Sequence, residues 1–364
     1  MPDSRPQTRL LSADDVQLIA QRVGLDRLMD EMIGRLTQAF LEFDNHNTVV
    51  PIRSGFNYRT PHVGLVEWMP LLQKTQQIVV KTVGYHPQNP ELYGLPTVLS
   101  TISAYDPTSG RLLAVVDGTF LTALRTGAAS AIASQYLAQP NSRTLGLVGA
   151  GAQAITQLHA LSRRFDLKHV LVYDTDPVVM ASFAERAAVL KLDLRIESAP
   201  LVQVTTAADI LCTATSVDVE AGPVIPAQGL KPGLHINAVG ADFPGKTEIP
   251  LSVLEQSLVC PDFYEQALLE GECQQFEDRS QIGPELFELV KSPAAYKAHQ
   301  QQMTVFDSTG FALEDQTAMN LMLAYADELG LGTWMALESV AADVKNPYSF
   351  VPGTVGSNSV VTGA

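Results

Sequence analysis

The stretch Thr144-Leu-Gly-Leu-Val-Gly-Ala-Gly-Ala-Gln-Ala154 decides the fold of this chain. It begins with a short apolar run, Leu145–Val148, which predicts a buried strand that leads directly into glycines. Gly149, Gly151 and Ala154 match the G-x-G-x-x-G/A pattern. In that pattern the first glycine allows a tight turn, the second lets the backbone approach a pyrophosphate, and the small third residue lets helix and strand pack closely. The stretch therefore predicts the start of a dinucleotide-binding domain.

A second apolar run, His169-Val-Leu-Val-Tyr-Asp174, follows the predicted helix and ends in an acidic residue. Asp174 stands near the spacing, about 20 residues after the glycines, at which an acid binds the adenosine ribose. The alternative is a turn or helix N-cap role for Asp174. Asp176 follows closely and no Arg or Lys stands between Asp174 and Met180, so a 2′-phosphate would be repelled. The pattern favours NAD over NADP.

Composition excludes several classes of function. The 364 residues carry a net charge of −15, which argues against nucleic acid or an anionic membrane surface as a partner. No segment approaches the ~20 apolar residues of a membrane span, and the N-terminus has no apolar run, which predicts no signal peptide. Three widely spaced cysteines and scarce, unclustered histidines predict a cytoplasmic protein without disulfides or a metal site.

Outside this stretch the chain predicts a second, sheet-rich domain. Short apolar runs between Thr48 and Asp117, separated by Pro, Gly and Asn, are typical of an antiparallel sheet, and a helix rich in small residues continues to about Ala138. We expect a sheet-rich α+β domain over residues 1–140, completed by about 314–345, a Rossmann-type doubly wound α/β domain over 141–313, and an extended tail over 346–364. The strands predicted in the second domain are Leu145–Val148, Val170–Tyr173, Leu194–Glu197, Ile210–Thr213, His235–Val239, Leu258–Cys260 and Thr304–Phe306.

Three cations of the first domain stand among apolar neighbours: Arg53, Lys81 and Arg125. Each alone fits a surface side chain whose charged end reaches water. Together they indicate a pocket for a carboxylate, because buried cations need a counter-charge and Arg offers bidentate geometry.

A second constellation, Asn237-Ala-Val-Gly-Ala-Asp-Phe-Pro-Gly-Lys-Thr-Glu248, follows a predicted strand of the nucleotide domain, where ligands bind in such folds. Asp242 is a candidate general acid/base, and Lys246 is placed to hold it or a cofactor oxygen. The alternative for Asp242 is a turn residue beside a Pro-Gly bend. Glu67 is a lesser candidate for binding a substrate amine, since alternation along its strand favours a solvent-facing side chain.

These motifs together resemble the ornithine cyclodeaminase/μ-crystallin family, from about residue 45 to 325. The resemblance rests on Leu121-Thr-Ala-Leu-Arg-Thr-Gly-Ala-Ala-Ser130, the glycine stretch and the Asn237–Glu248 segment. Three further stretches resemble the cyclodeaminase branch: His86-Pro-Gln-Asn89, Glu270-Gly-Glu-Cys-Gln-Gln275 and Phe306-Asp-Ser-Thr-Gly-Phe-Ala-Leu-Glu-Asp315.

The resemblance implies a Rossmann domain beside a sheet-rich domain that binds substrate and forms a homodimer interface. It implies that Arg53, Lys81 and Arg125 hold the α-carboxylate of the substrate, that Asp242 is the acid/base and that Thr309 lines the substrate site. The residues implied to contact NAD are Thr97, Ala152, Gln153, Asp174, Thr215, Val239, Lys246 and Ser308. Three positions depart from the family pattern: Phe243 replaces Cys, Thr309 replaces Val and Gly127 replaces Ala. Because Thr309 is implied to line the substrate site, its departure from the pattern leaves the identity of the substrate open.

The function implied by the resemblance is conversion of L-ornithine to L-proline and ammonia through hydride abstraction, ring closure and hydride return. Lysine, diaminobutyrate or an arginine-like substrate would suit the same carboxylate site. One alternative is net redox chemistry, by an amino-acid dehydrogenase or a cyclic-imine (ketimine) reductase. Another is a nucleotide-dependent binding protein for a small aromatic ligand, which the acid at position 242 disfavours.

Overall fold

The chain folds around two β-sheets. The computed structural model describes residues 6–339, 341 and 343–351. Within this part, one sheet has eight strands and the other seven. The first sheet contains β1 (Thr8–Leu11), β2 (Thr48–Val49), β3 (Ser54–Tyr58), β4 (Gly64–Gln73), β5 (Gln77–Tyr85), β6 (Val98–Tyr105), β7 (Leu112–Asp117) and β15 (Thr333–Met335). The second contains β8 (Thr144–Val148), β9 (His169–Tyr173), β10 (Arg195–Ser198), β11 (Ile210–Thr213), β12 (His235–Ala238), β13 (Leu258–Pro261) and β14 (Thr304–Asp307).

Helices connect and cover these sheets. Those in the first part of the chain are α1 (Ala13–Val23), α2 (Leu25–Glu42), α3 (Asn89–Tyr93) and α4 (Thr119–Leu137). Those around the second sheet are α5 (Ala152–Ser162), α6 (Pro177–Ala181), α7 (Phe183–Ala187), α8 (Leu201–Ala207), α9 (Leu251–Leu254), α10 (Tyr264–Ala267), α11 (Leu286–Lys291) and α12 (Pro293–Tyr296). The last, α13 (Ala312–Leu329), precedes β15.

The first sheet has the order β15-β1-β7-β6-β5-β4-β2, with β3 also paired to β4. Its strands from β2 to β7 pair in antiparallel fashion, as their short alternating apolar runs predict. One face packs against α2, α4 and α13 in a single apolar core that includes Met32, Leu36, Val79, Ile102 and Met319. The small residues of α4 let its neighbours pack closely on several sides.

The second sheet is entirely parallel, in the order β10-β9-β8-β11-β12-β14-β13. Each of the seven strands predicted in this segment is present, which confirms the doubly wound α/β fold. Because β9 lies on one side of β8 and β11 on the other, the strand order reverses between β8 and β11. In such folds this switch point creates a crevice at the carboxyl ends of the strands.

β1 and β15, which lie far apart in the chain, pair with each other at one edge of the first sheet. β15 pairs with β1 in antiparallel register, with Arg9 opposite Trp334. Ser12 caps α1 in a capping box with Asp15. Most of the tail expected from residue 346 lies outside the described residues.

Candidate active site

A cavity lies where the first sheet, α4 and the carboxyl ends of the parallel strands meet. The strands of the first sheet and the segment before β3 contribute Arg53, Leu65, Glu67, Met69, Lys81, Val83, Tyr85 and Val98. Helix α4 contributes Thr122, Arg125 and Thr126, α5 contributes Gln153, and the segments after β12 and β14 contribute Val239, Asp242, Ser308, Thr309 and Gly310. Predicted substrate-binding and cofactor-binding residues that are distant in the chain thus line one cavity.

Lys81 and Arg125 form ion pairs with two acids of α13, Glu314 and Asp315. Lys81 Nζ lies 3.0 Å from Asp315 Oδ1, and Arg125 Nε lies 3.1 Å from the same oxygen. Arg125 Nη1 lies 2.8 Å from Glu314 Oε2. All four side chains are buried. The sequence argument attributed the missing counter-charge to a bound carboxylate, but the chain itself supplies counter-charges through Glu314 and Asp315, which sequence reasoning did not assign to the site.

Arg53 has a second pair of acids. Its Nε lies 2.8 Å from Glu270 Oε1, and its Nη1 lies 3.7 Å from Glu67 Oε2. Its Nη2 donates to the main-chain oxygens of Thr309 and Gly310, which fixes the guanidinium against the loop after β14. Glu67, expected from alternation to face solvent, is buried and lines the cavity.

Burial dominates the proton affinities of these groups. It raises the pKa of Glu270 to about 7 and that of Glu314 to about 8, although Arg53 and Arg125 act in the opposite direction. Burial also raises the pKa of Glu67. Burial lowers the pKa of Lys81 to about 8, against the attraction of Asp315. The cluster therefore includes several groups that exchange protons near neutral pH.

Asp242, which lines the cavity, forms an ion pair with Lys246. Lys246 Nζ lies 2.8 Å from Asp242 Oδ1 and 3.3 Å from the hydroxyl of Tyr85. Burial alone would lower the pKa of Lys246, but the Asp242 carboxylate outweighs it and the pKa is raised. The Asp242 side chain is 30% exposed, so it is accessible to a ligand or to water. Tyr85, another residue missed from the sequence, joins β5 to the Lys246 loop.

The loop after β14 is held by a buried acid that precedes α10. Thr309 Oγ1 donates to Asp262 Oδ1 over 2.9 Å, and the Gly310 amide donates to Asp262 Oδ2 over 2.6 Å. The Ser308 hydroxyl lies 3.3 Å from the same carboxylate. Asp262 thus places Ser308 and Thr309 at the cavity wall.

The glycine loop after β8 has the shape that a dinucleotide needs. Gly149 has φ +90°, and a Cβ there would lie 2.5 Å from the carbonyl oxygen of Ala214. A Cβ on Gly151, just before Ala152 at the start of α5, would meet no heavy atom of the described residues within 4 Å. The backbone is therefore open to a phosphate at the amino end of this helix.

Asp174 stands at the end of β9 as expected of a ribose-binding acid. One carboxylate oxygen accepts from the Ala150 amide over 2.7 Å and the other from the Asp176 amide over 2.9 Å. The side chain therefore shapes both the glycine loop and its own turn. Together with the open backbone at Gly151, this geometry fits a dinucleotide with free ribose hydroxyls.

Glu248 joins the loops that flank the crevice, and its role was not predicted. It is fully buried, and its carboxylate accepts hydrogen bonds from Thr213 Oγ1, from the amide and hydroxyl of Thr215, and from the Gly240 amide, over 2.7–2.8 Å. Glu272 accepts from the Glu248 amide over 2.7 Å. In the sequence, the only signal is that Glu248 closes the Asn237–Glu248 segment, and its burial is visible only in the structure.

Thr97, which the resemblance implies to contact NAD, does not line the cavity. It precedes β6, its carbonyl accepts from the His86 amide over 2.8 Å, and its neighbour Val98 lines the cavity. His86 Nε2 lies 2.6 Å from the Tyr58 hydroxyl, a contact that holds the ends of β3 and β5 together.

Among the described residues, no group of three or more His, Cys, Asp or Glu side chains is arranged to hold a metal ion. No helix in the described part of the chain is long and apolar enough to cross a membrane.

Comparisons with known proteins agree with this geometry. The model of the ornithine cyclodeaminase/mu-crystallin family matches residues 13–328. The L-lysine cyclodeaminase of Streptomyces rapamycinicus is 43% identical over 94% of this chain and 99% of its own length. A solved structure concerned with recognition of L-lysine, L-ornithine and L-2,4-diaminobutyric acid by lysine cyclodeaminase has 48% identity, a TM-score of 0.91, and coverage of 94% and 99%.

A third similar protein catalyses a different reaction. The Δ1-pyrroline-2-carboxylate reductase of Thermococcus litoralis, solved with NADH and L-proline, is 34% identical. Its TM-score is 0.80, with coverage of 90% of this chain and 99% of its own. One fold therefore accommodates both cyclodeaminase and reductase chemistry.

Proposed function

The chain belongs to the ornithine cyclodeaminase/mu-crystallin family, and from this we propose that it catalyses NAD-dependent deaminating cyclisation of a basic amino acid. The cofactor is NAD, which the open glycine loop and Asp174 fit. The observation that carries the proposal is that Asp242, paired with Lys246, lines the same cavity as the cation clamp, defined here as Arg53, Lys81 and Arg125.

The clamp orients the amino acid. Arg53, Lys81 and Arg125 all line the cavity, and each is also paired with a buried acid: Glu270, Asp315 and Glu314, respectively. A substrate α-carboxylate bound there places Cα towards the cofactor crevice. Charge-assisted hydrogen bonds to Arg are suited to this task because the guanidinium is planar and its direction is fixed.

Glu67 is suited to the distal ammonium of the substrate. Its Oε2 is buried and has no hydrogen-bond partner among the described residues, although Arg53 Nη1 lies 3.7 Å away. A buried carboxylate oxygen without a donor is costly, and an alkylammonium entering the cavity would satisfy it. This supports a substrate with a second amine.

Asp242 would complete the ring closure. When bound, NAD would supply reversible hydride transfer at Cα, so the overall reaction would be redox-neutral. Asp242 would accept a proton from the distal ammonium, and the resulting amine would add to the imine carbon that hydride loss leaves at Cα. Ammonia would then leave with a proton returned from Asp242, and the cyclic imine would take the hydride back. Holding the two ends of the substrate at the clamp and at Glu67 favours this intramolecular attack.

The substrate is proposed as L-lysine or L-ornithine, giving L-pipecolate or L-proline. The similarity to lysine cyclodeaminases supports L-lysine, whereas L-ornithine and a role in proline biosynthesis remain predictions from the resemblance. The second candidate function is reduction of a cyclic imine, or dehydrogenation of an amino acid. It is favoured by the similarity to the pyrroline-2-carboxylate reductase.

The test is turnover with catalytic NAD⁺ and L-lysine, L-ornithine or L-2,4-diaminobutyrate in parallel. Ammonia, cyclic product and NADH absorbance are followed together. Equal amounts of ammonia and cyclic imino acid without net NADH are expected, with turnover lost in Asp242→Asn and kept in the surface control Asp166→Asn. Accumulating NADH would instead establish a dehydrogenase. Turnover of none of the three amino acids would overturn the proposal.

We also propose a homodimer formed through the outer face of the first sheet. Phe56 is 68% exposed and packs edge-on against Trp68, with ring centroids 5.7 Å apart. Leu99 is also exposed on this sheet. Exposed apolar side chains on one sheet face are typical of an interface. Sedimentation should give a dimer that Trp68→Glu weakens.

A cytoplasmic location stays a prediction.

A further inference from the structure

Two cations of the clamp, Lys81 and Arg125, are each paired with an acid of α13. Lys81 and Arg125 are matched one for one by Asp315 and Glu314, at distances of 2.8–3.1 Å. All four side chains are buried, with at most 6% of each side chain exposed. When both acids are ionised, this part of the clamp therefore has no net positive charge to offer a carboxylate.

A ligand carboxylate would add an unmatched negative charge to this buried cluster. Uncompensated charge in a protein interior is strongly unfavourable, and the usual response is that an ionisable group changes its protonation. A proton on one of the two acids would restore neutrality and leave a cation free to pair with the ligand. The structure distinguishes between the two acids.

Asp315 Oδ1 contacts both cations, so neutralising this acid would weaken two ion pairs. Each acid has one oxygen without a hydrogen-bond partner among the described residues, Glu314 Oε1 and Asp315 Oδ2, but Glu314 contacts only Arg125, so neutralising it weakens one ion pair. The charged groups facing Glu314 are Arg125 from α4, Asp262 from the segment after β13, and Asp315 on its own helix. Two of these three are acids, which favour a neutral Glu314 alongside burial.

We propose that Glu314 is protonated whenever a ligand carboxylate occupies the clamp, so that carboxylate binding above neutral pH takes up a proton at this residue. The inference rests on the proposed function only in that the clamp holds the substrate carboxylate. Glu314 acts behind Arg125, as a positioning residue that sets the charge of the clamp. The raised pKa of about 8 agrees with this role, since the free protein then loses the proton above pH 8.

Calorimetric titration of the NADH-bound protein with L-pipecolate and L-proline tests the coupling. Titrations in two buffers of different protonation enthalpy give the number of protons taken up. We expect uptake approaching one proton at pH 9 and little at pH 7, with Kd rising about tenfold per pH unit above pH 8. Proton uptake that does not change with pH overturns the inference.

Glu314→Gln isolates the residue because its amide is neutral at every pH. The variant should take up about one proton fewer than the wild type at pH 9, and its Kd should depend less on pH. Any uptake that remains belongs to Lys81, whose pKa burial lowers to about 8. Glu285→Gln is a matched control, since burial also raises the pKa of Glu285, to about 7, in a different cavity. Equal uptake in the wild type and Glu314→Gln would overturn the inference alone. Absence of binding in the wild type at pH 7 would overturn the proposed function with it.

Discussion

The guanidinium of Arg125 occupies the space that any side chain at residue 310 would need. A Cβ built on Gly310 would lie 2.8 Å from Arg125 Nη2, and Gly310 has φ +96°. The glycine thus serves two purposes: it permits the backbone turn after β14 and leaves room for a cation that lines the cavity.

Gly310→Ala should therefore weaken substrate binding more than it weakens the fold. Displacing Arg125 removes at least one charge-assisted hydrogen bond to the carboxylate, so KM should rise at least about tenfold. Affinity for NAD, measured by fluorescence titration, should change little. The control is Gly330→Ala, where φ is +65° and a Cβ meets no described heavy atom within 4 Å. That variant should lose about 1–2 kcal/mol of stability with KM unchanged.

Glu248→Gln should disturb the cofactor crevice. The carboxylate accepts four hydrogen bonds from residues on two loops, whereas an amide would turn its NH₂ towards two of those donors. Each unsatisfied buried group costs about 1–3 kcal/mol. Urea unfolding should show the loss of stability. The Kd for NAD should also rise, because Glu248 holds the segments after β11 and β12 that contain Thr215 and Val239, two residues implied to contact NAD.

A matched exposed acid, Glu255, provides the comparison for that measurement. It lies at the carboxyl end of α9 and is exposed. Glu255→Gln should leave both stability and NAD binding as in the wild type. If Glu248→Gln behaved the same way, its carboxylate would not position the crevice.

Gly127→Ala should destabilise the packing between α4 and α5. A Cβ at residue 127 would lie 2.6 Å from the main-chain oxygen of Thr156 and 3.3 Å from Ala160 Cβ. Overpacking of this kind typically costs about 1–3 kcal/mol, which thermal or urea unfolding would detect. Gly34→Ala on α2 is the control: no described heavy atom lies within 4 Å of its Cβ. It should instead gain up to ~1 kcal/mol from helix propensity.

The Gly127 contact also explains one departure from the family pattern. Glycine at this position lets α4 of the sheet-rich part and α5 of the nucleotide-binding part come into direct contact. A close helix contact of this kind fixes Arg125 on α4 relative to Gln153 on α5, and both line the cavity.

Local patterns were sufficient to predict the fold. The strand, glycines and helix of residues 144–154, and the six further apolar runs after it, each specify one element by interactions between residues close in sequence. The parallel order then follows from the alternation of strands and helices. The three residues of the cation clamp and Asp242 were recognisable because charge in an apolar setting is unusual.

The partners of those charges were not predictable in the same way. Arg125 and Asp315 are 190 positions apart in the chain, and Lys246 and Tyr85 are 161 apart. Glu314 and Asp315 have no local feature that distinguishes them from the acids usual in the first turn of a helix. Only the packing of α13 against α4 and β5 places them behind the clamp.

The sequence by itself determined the two sheets, the glycine loop and the set of charged residues available to a site, because strand periodicity and glycine conformation are local properties. The tertiary structure decided which acid faces which cation, which side of each cation faces the cavity and which carboxylate oxygens lack a partner. These depend on burial and on distances between residues remote in the chain, and they set the charge of the cavity and hence the ligands it can bind.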